Sequence, residues 1–217
     1  MGKWQSIYQS LEVGGSALRA QLESAVWLDR FIPKLEETTG RILDLGCGMG
    51  ADLLRCAQLG YEPYGLDLEE VAVRFVSTHY GFAAQQCDFS GPLPFDDAAF
   101  SFVLSRFAIH YLRPREARDC FKEVLRILKP GGSFLFAVNS ETHRRLGLQY
   151  NYSDAIELEP QVWRLPNDVD RTILFYTPEL ARMIAGPGWQ WRYLADEAFQ
   201  HWNGIDKRAV IGMAQKL

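Results

Sequence analysis

The chain reads as an α/β protein built on a parallel sheet with helices on both faces, and three observations carry that reading. Short β-prone runs alternate with helix-length segments from Arg41 to Asn139. The first run, "RILDLG", enters a loop containing Gly46, Gly48 and Gly50 that leads straight into a helical stretch. The second run, "YEPYGLDL", ends in an acid, Asp67, about twenty residues beyond that loop.

Each element follows from local chemistry. From Ser16 to Ile32 the apolar residues Leu18, Leu22, Ala25, Val26, Trp27 and Phe31 recur at helical spacing, and Pro33 ends the run. "RILDLG" is the first strand, "GADLLRCAQLG" a helix closed by Gly60, and "YEPYGLDL" the second strand. The unit then repeats: "EEVAVRFVSTHYG" as helix, "FAAQQCDFS" as strand, a linker "GPLPFDD", and the apolar run "AFSFVLSRFAIHYL". "REARDCFKEVLRILKPGG" places Ala117, Phe121, Val124, Leu125 and Leu128 on one helical face before Pro130 and two glycines. "SFLFAVNS" is the fifth strand. Beyond Asn139 the alternation fails until Thr177, and an irregular segment of that length inside a domain reads as a lid or mobile loop. Thr177 is placed as N-cap and Pro178 in the first turn of "TPELARMIAG". Two closing strands, "WQWRYLADEAF" and "KRAVIGMAQKL", flank the turn-rich "QHWNGID".

Composition narrows the function. With 217 residues, 47% of them hydrophobic, the chain can bury a sizeable core, and a single domain is expected over 1–217, with 1–35 as a helical cap and 140–176 as the lid insertion. The formal charge is -4, from 23 basic and 27 acidic residues, so no positive field exists to neutralise a phosphate backbone, and no nucleic acid partner is expected. No run approaches a membrane span and the first residues lack a signal-peptide core, so a cytoplasmic protein without a membrane partner is expected, as monomer or homodimer. Cys47, Cys56, Cys87 and Cys120 form no CxxC pair, and His79, His110, His143 and His201 no ligand spacing, so neither disulfides nor a metal is expected.

Glycine has no Cβ, so a strand–glycine loop–helix turn lets backbone come close to a ligand above the sheet edge. Such a loop alone also suits a nicotinamide enzyme. Asp67 can accept hydrogen bonds from ribose hydroxyls, which both cofactor types offer. Asp88, closing the third strand in "QCDFS", is an acid that nicotinamide binding does not call for; it can accept from an adenine amino group, with Phe89 beside the ring.

At this point the chain resembles the class I S-adenosylmethionine-dependent methyltransferases. The resemblance rests on "LDLGCGMG", on Asp67 closing strand two, on "CDFSGPLPFDDAAFSFVLS" around strands three and four, and on "LKPGGSFLF" entering strand five. It implies a doubly wound, seven-stranded, mostly parallel sheet in the order 3-2-1-4-5-7-6 with strand 7 antiparallel, and S-adenosyl-L-methionine as cofactor. Residue by residue, it puts the methionine part over Gly46, Cys47, Gly48 and Gly50, with Asp44 near the ammonium, through water. Asp67, with Leu68 beside it, would hold the ribose, Asp88 and Phe89 the adenine, and Ser105 and Arg106 would face the methionine end. Trp4 and Tyr8, one helical turn apart, would cap the cofactor. Ser101 departs from the family, where many relatives carry an acid.

The acceptor has weaker marks. His110, just past strand four, is the first candidate for a base that takes the acceptor's proton, and His143 in the lid the second. Lid aromatics Tyr150, Tyr152, Trp163 and Phe175, with Trp202, suit an apolar or aromatic small molecule, although core packing explains each singly. No Asn-Pro-Pro-Tyr or Asp-Pro-Pro-Tyr motif and no Pro-Cys pair is present, which favours a small-molecule acceptor over protein or RNA. Plainer roles stand beside these: Asp67 as a helix N-cap, Asp88 as a turn residue, His110 as packing, Cys47 as a small filler, Arg106 in a salt bridge, and Trp4 packed on the sheet. A non-catalytic cofactor-binding module of the same fold is the alternative to an enzyme.

Overall fold

Strands buried on both faces must be apolar throughout, and the middle of this sheet follows that rule. The computed structural model describes residues 23, 25–31, 40–147, 155–165, 172–200 and 206–217. Its main sheet has seven strands: β1 (Arg41–Leu45), β2 (Glu62–Asp67), β3 (Ala83–Gln86), β4 (Phe100–Arg106), β5 (Leu128–Asn139), β9 (Trp189–Gln200) and β10 (Asp206–Lys216). They lie in the order β3-β2-β1-β4-β5-β10-β9. β1 to β5 pair in parallel, while β10 is antiparallel to both of its neighbours. This is the doubly wound order that the resemblance implies, with the last strand slotted between the fifth and the sixth.

The five described α-helices are α1 (Ala51–Gln58), α2 (Glu70–Phe75), α3 (Pro114–Ile127), α4 (Glu141–Leu146) and α5 (Pro178–Ala185). Strand alternation sends Phe134, Phe136 and Val138 of β5 into one core, with Phe121 and Val124 of α3 and Leu180 and Ile184 of α5. Leu135 and Ala137 point the other way, to Ile42, Phe102, Leu104, Phe199, Ala209 and Leu28. Leu28 belongs to a short 3-10 turn, Ala25–Arg30, the only regular element described within the expected N-terminal helix besides residue 23. Gly212 faces Phe136 across the β5–β10 ladder, and a Cβ there would meet the ring at 2.3 Å, so this strand position admits only glycine without movement.

Three boundaries differ from the sequence reading. α3 stops at Ile127, because Leu128 already pairs with Phe100 as the first residue of β5. α2 ends at Phe75 and continues as a π-helical turn, Val76–Tyr80. The segment read as irregular contains α4 and a three-stranded antiparallel sheet of β6 (Ile156–Glu159), β7 (Val162–Arg164) and β8 (Thr172–Leu174). All four residues of β6 are exposed, so an "IELE" edge carries no buried face for periodicity to reveal. Thr177 caps α5, its hydroxyl accepting from Leu180 N–H at 3.2 Å, with Pro178 at the helix start. No described helix is long and apolar enough to cross a membrane.

Candidate functional site

The strand order reverses between β1 and β4, and in open α/β sheets ligands sit beyond the carboxyl ends of the strands at that switch. The glycine loop fills this place. Gly46, Gly48 and Gly50 have φ of 80°, 51° and 78°, left-handed values that side chains resist. Leu66 of β2 accepts from the N–H groups of both Gly46 and Cys47, at 2.8 and 2.9 Å. Asp67 completes the tie: its carboxylate accepts from Gly48 N–H at 2.8 Å and from Glu69 N–H at 2.9 Å. It is therefore a turn and loop clamp at the end of β2, while Glu69 holds the N-cap position of α2.

Two buried acids face this loop without a cation of their own. Among the described residues, Asp44 is 2% exposed with no hydrogen-bond partner for its Oδ1, and Asp67 is 5% exposed and makes no ion pair. Burial pushes Asp44 well above the carboxylate range, the nearby Asp52 adds to the rise, and Arg106 opposes it. Asp67 is also raised by burial, against its two backbone donors. A cradle with buried carboxylate oxygen and no counterion suits a cationic ligand group.

Arg106 takes the plainer of its two expected roles. Its Nε lies 2.7 Å from Asp52 Oδ2, and both side chains are largely buried. Asp52 also accepts from Trp27 Nε1 at 3.2 Å, so one carboxylate of α1 joins the end of β4 to the N-terminal turn. The sequence reading missed Asp52, whose place in the first turn of a helix looks like an ordinary dipole-favoured acid. Ser105 is likewise inward: it is fully buried and its hydroxyl donates to the Leu45 carbonyl at 2.8 Å, fastening β4 to β1 rather than facing a ligand.

Past the end of β2, Leu68 is 53% exposed directly after Asp67, an apolar surface left open beside the clamp. Asp88 is exposed, with one oxygen accepting from Ser90 N–H at 2.9 Å in a local turn. Phe89 lies close to the loop, its ring 3.9 Å from where a Gly46 side chain would begin. Cys47 is buried and burial raises its thiol well above the usual value, so it fills space against Gly65 and is no nucleophile. Trp4, Tyr8, Tyr150, Tyr152 and Trp202 lie outside the described residues.

Neither histidine stands open to solvent. His110 is 1% exposed, and burial, reinforced by the Lys207 ammonium, holds its imidazole well below the usual value, so it is neutral. His143 is fully buried in α4, where its Nδ1 accepts from Arg208 N–H at 3.2 Å. That nitrogen is committed to β10. Phe175 is fully buried, and Trp163 lies under Arg144, 4.1 Å from guanidinium to ring, so core packing accounts for both.

The fold and this loop are similar to those of methyltransferase domains. Residues 42–132 match the model of a family described as a methyltransferase domain. The putative methyltransferase YqeM of Bacillus subtilis is 34% identical over 119 residues, 52% of this chain and 47% of its own length. The chain thus spans about half the length of the curated relatives it first matches. Among solved structures, a protein from Pyrococcus horikoshii aligns with a TM-score of 0.72 at 20% identity, covering 92% of this chain and 91% of its own. A SAM-dependent methyltransferase from Methanosarcina mazei gives a TM-score of 0.72 at 21% identity, covering 88% and 96%.

Proposed function

We propose that the protein transfers a methyl group from S-adenosyl-L-methionine to a small-molecule acceptor. The observation that carries the cofactor half is Asp44, a buried carboxylate whose Oδ1 has no partner among the described residues, beneath a glycine loop. When bound, the cofactor supplies an activated methyl group on a positively charged sulfur. In this reading Asp44 balances the methionine ammonium, Gly46 and Gly48 allow close approach, Asp67 takes the ribose hydroxyls, and Leu68, Asp88 and Phe89 bound the adenine. Ser105 and the Arg106–Asp52 pair hold the strand end behind them. Catalysis then consists mainly of aligning the acceptor and excluding water.

The small-molecule half rests on the acidic balance and the missing motifs. The matched relatives include a tRNA N(3)-cytidine methyltransferase of Gallus gallus, 27% identical, and a sterol 4-C-methyltransferase of Caenorhabditis elegans, 28% identical. They leave the acceptor class open between nucleic acid and metabolite, and the net charge of -4 favours the metabolite.

Calorimetry with S-adenosylmethionine and S-adenosylhomocysteine tests the reading, and absence of heat with both would sink it. Asp67→Ala removes the clamp and is expected to weaken binding by about 10- to 100-fold, the range for a lost hydrogen bond to a charged group. Cofactor binding without turnover on any metabolite or RNA would instead indicate a binding module.

A further inference from the structure

Beyond the cofactor loop, three buried polar groups gather where the carboxyl ends of β4 and β5 meet the amino end of β10. Lys207 is 7% exposed, and its Nζ lies 4.6 Å from the Phe107 ring centroid, with no carboxylate paired to it among the described residues. His110 packs against the same ring, centroid to centroid 6.1 Å, and its Nδ1 has no hydrogen-bond partner among the described residues. Asn139 is 6% exposed and its Oδ1 is likewise unpartnered among them. Asn139 is paired with Ala209 in the β5–β10 ladder, so Lys207, two residues along β10 and on the same face, is its diagonal neighbour at roughly 7–8 Å between Cα atoms. Lys207 is directly opposite Phe199, whose ring meets Phe107 edge-on at 5.1 Å.

We propose that Lys207, Asn139 and His110 seat the methyl acceptor, and that the acceptor is a small carboxylate-bearing molecule. This rests on the methyltransferase reading and names the substrate class of that site. Among the described residues the buried ammonium has a ring face and no counterion, and burial lowers Lys207 to about 8. One buried cation balances one negative charge, which favours a carboxylate over a doubly charged phosphate. The aromatic walls, Phe107 and Phe199, suit an apolar body behind the charge. Phe107 itself holds a left-handed φ of 54°, a conformation that side chains resist and that places its ring between the lysine and the histidine. His110 Nδ1 and Asn139 Oδ1 remain for the polar groups of the same molecule.

The test uses the full chain, methyl-labelled S-adenosylmethionine, and a metabolite extract divided on an anion exchanger. Label is expected in the acid-retained fraction, and phosphatase treatment of that fraction is expected to leave the product unchanged. Label confined to the unretained fraction, or lost after phosphatase, overturns the carboxylate seat and leaves methyl transfer standing. Label in neither fraction removes a small-molecule acceptor, and the seat with it. With the labelled acceptor isolated, Lys207→Met is expected to raise KM about 100-fold, the scale for losing a buried charge pair, with kcat within about threefold. Binding of S-adenosylhomocysteine should be unaltered, and Lys207→Arg should recover part of the loss. Thermal stability separates this role from a structural one: removing an unpaired buried charge should leave the melting temperature equal or higher. An unchanged KM, or a lowered melting temperature in Lys207→Met, would count against the proposal.

Discussion

At the scale of single residues, Asp44 sets ligand binding against stability. Its carboxyl holds a proton more tightly in the fold than in the open chain, because burial disfavours the charge. That proton affinity stabilises the cofactor-free fold below the unfolded value, and the contribution is lost as pH rises through the raised folded one. Asp44→Asn should therefore raise the melting temperature of the cofactor-free protein near neutral pH, by about 2–4 °C if the gain is about 1 kcal/mol. The same change should weaken S-adenosylmethionine binding. An ammonium paired with Asp44 needs the carboxylate, so affinity should climb with pH through the raised value and level off above it. Calorimetry in two buffers of different ionisation heat would measure the proton released, and zero release below that value would contradict the pairing. Asp44 and the glycines were legible because one short stretch spells them in order, and Asp67 because it closes the next strand. Asp52 and Lys207 were not, since their meaning depends on Arg106 and Phe107, which only folding brings near.

At the scale of elements, the sheet edge is held by a few cross-element ties. The Arg106–Asp52 pair is the most buried of these ion pairs. Arg106→Met strands the Asp52 carboxylate and should cost about 3–5 kcal/mol in denaturant unfolding, while Arg106→Met combined with Asp52→Leu should cost much less. Equal losses in the single and double variants would show that the pair is not the cause. α5 offers a smaller effect: Thr177→Ala removes the cap on Leu180 and should cost about 1 kcal/mol, read from the shift in unfolding midpoint. Elements with strong local signals were readable from sequence, α3 by its apolar face and α5 by its cap and proline. β6 and β7 were not, because a four-residue exposed edge and a three-residue partner lack a period long enough to register. Val162 of β7 and Leu174 of β8, paired across their ladder, both pack into the main core.

At the scale of the whole molecule, charge bears on partner choice. With a net charge of -4, the full chain should retain no tRNA in filter binding at about 0.15 M salt, where polyphosphate contacts are already weakened. Retention there would move the acceptor toward nucleic acid. The position of β10 has a further consequence. Every residue of the glycine loop and of the acid clamp leaves the ribosome before β10 does, yet β9 joins the sheet only through β10. Until residues 206–216 emerge, the nascent chain presents the unpaired edge of β5, where Phe134, Phe136 and Val138 alternate with Leu135 and Ala137. The ligand-binding half is thus synthesised first but is shielded last, and the interval between the two is when a translating chain is most exposed to aggregation and most dependent on chaperones.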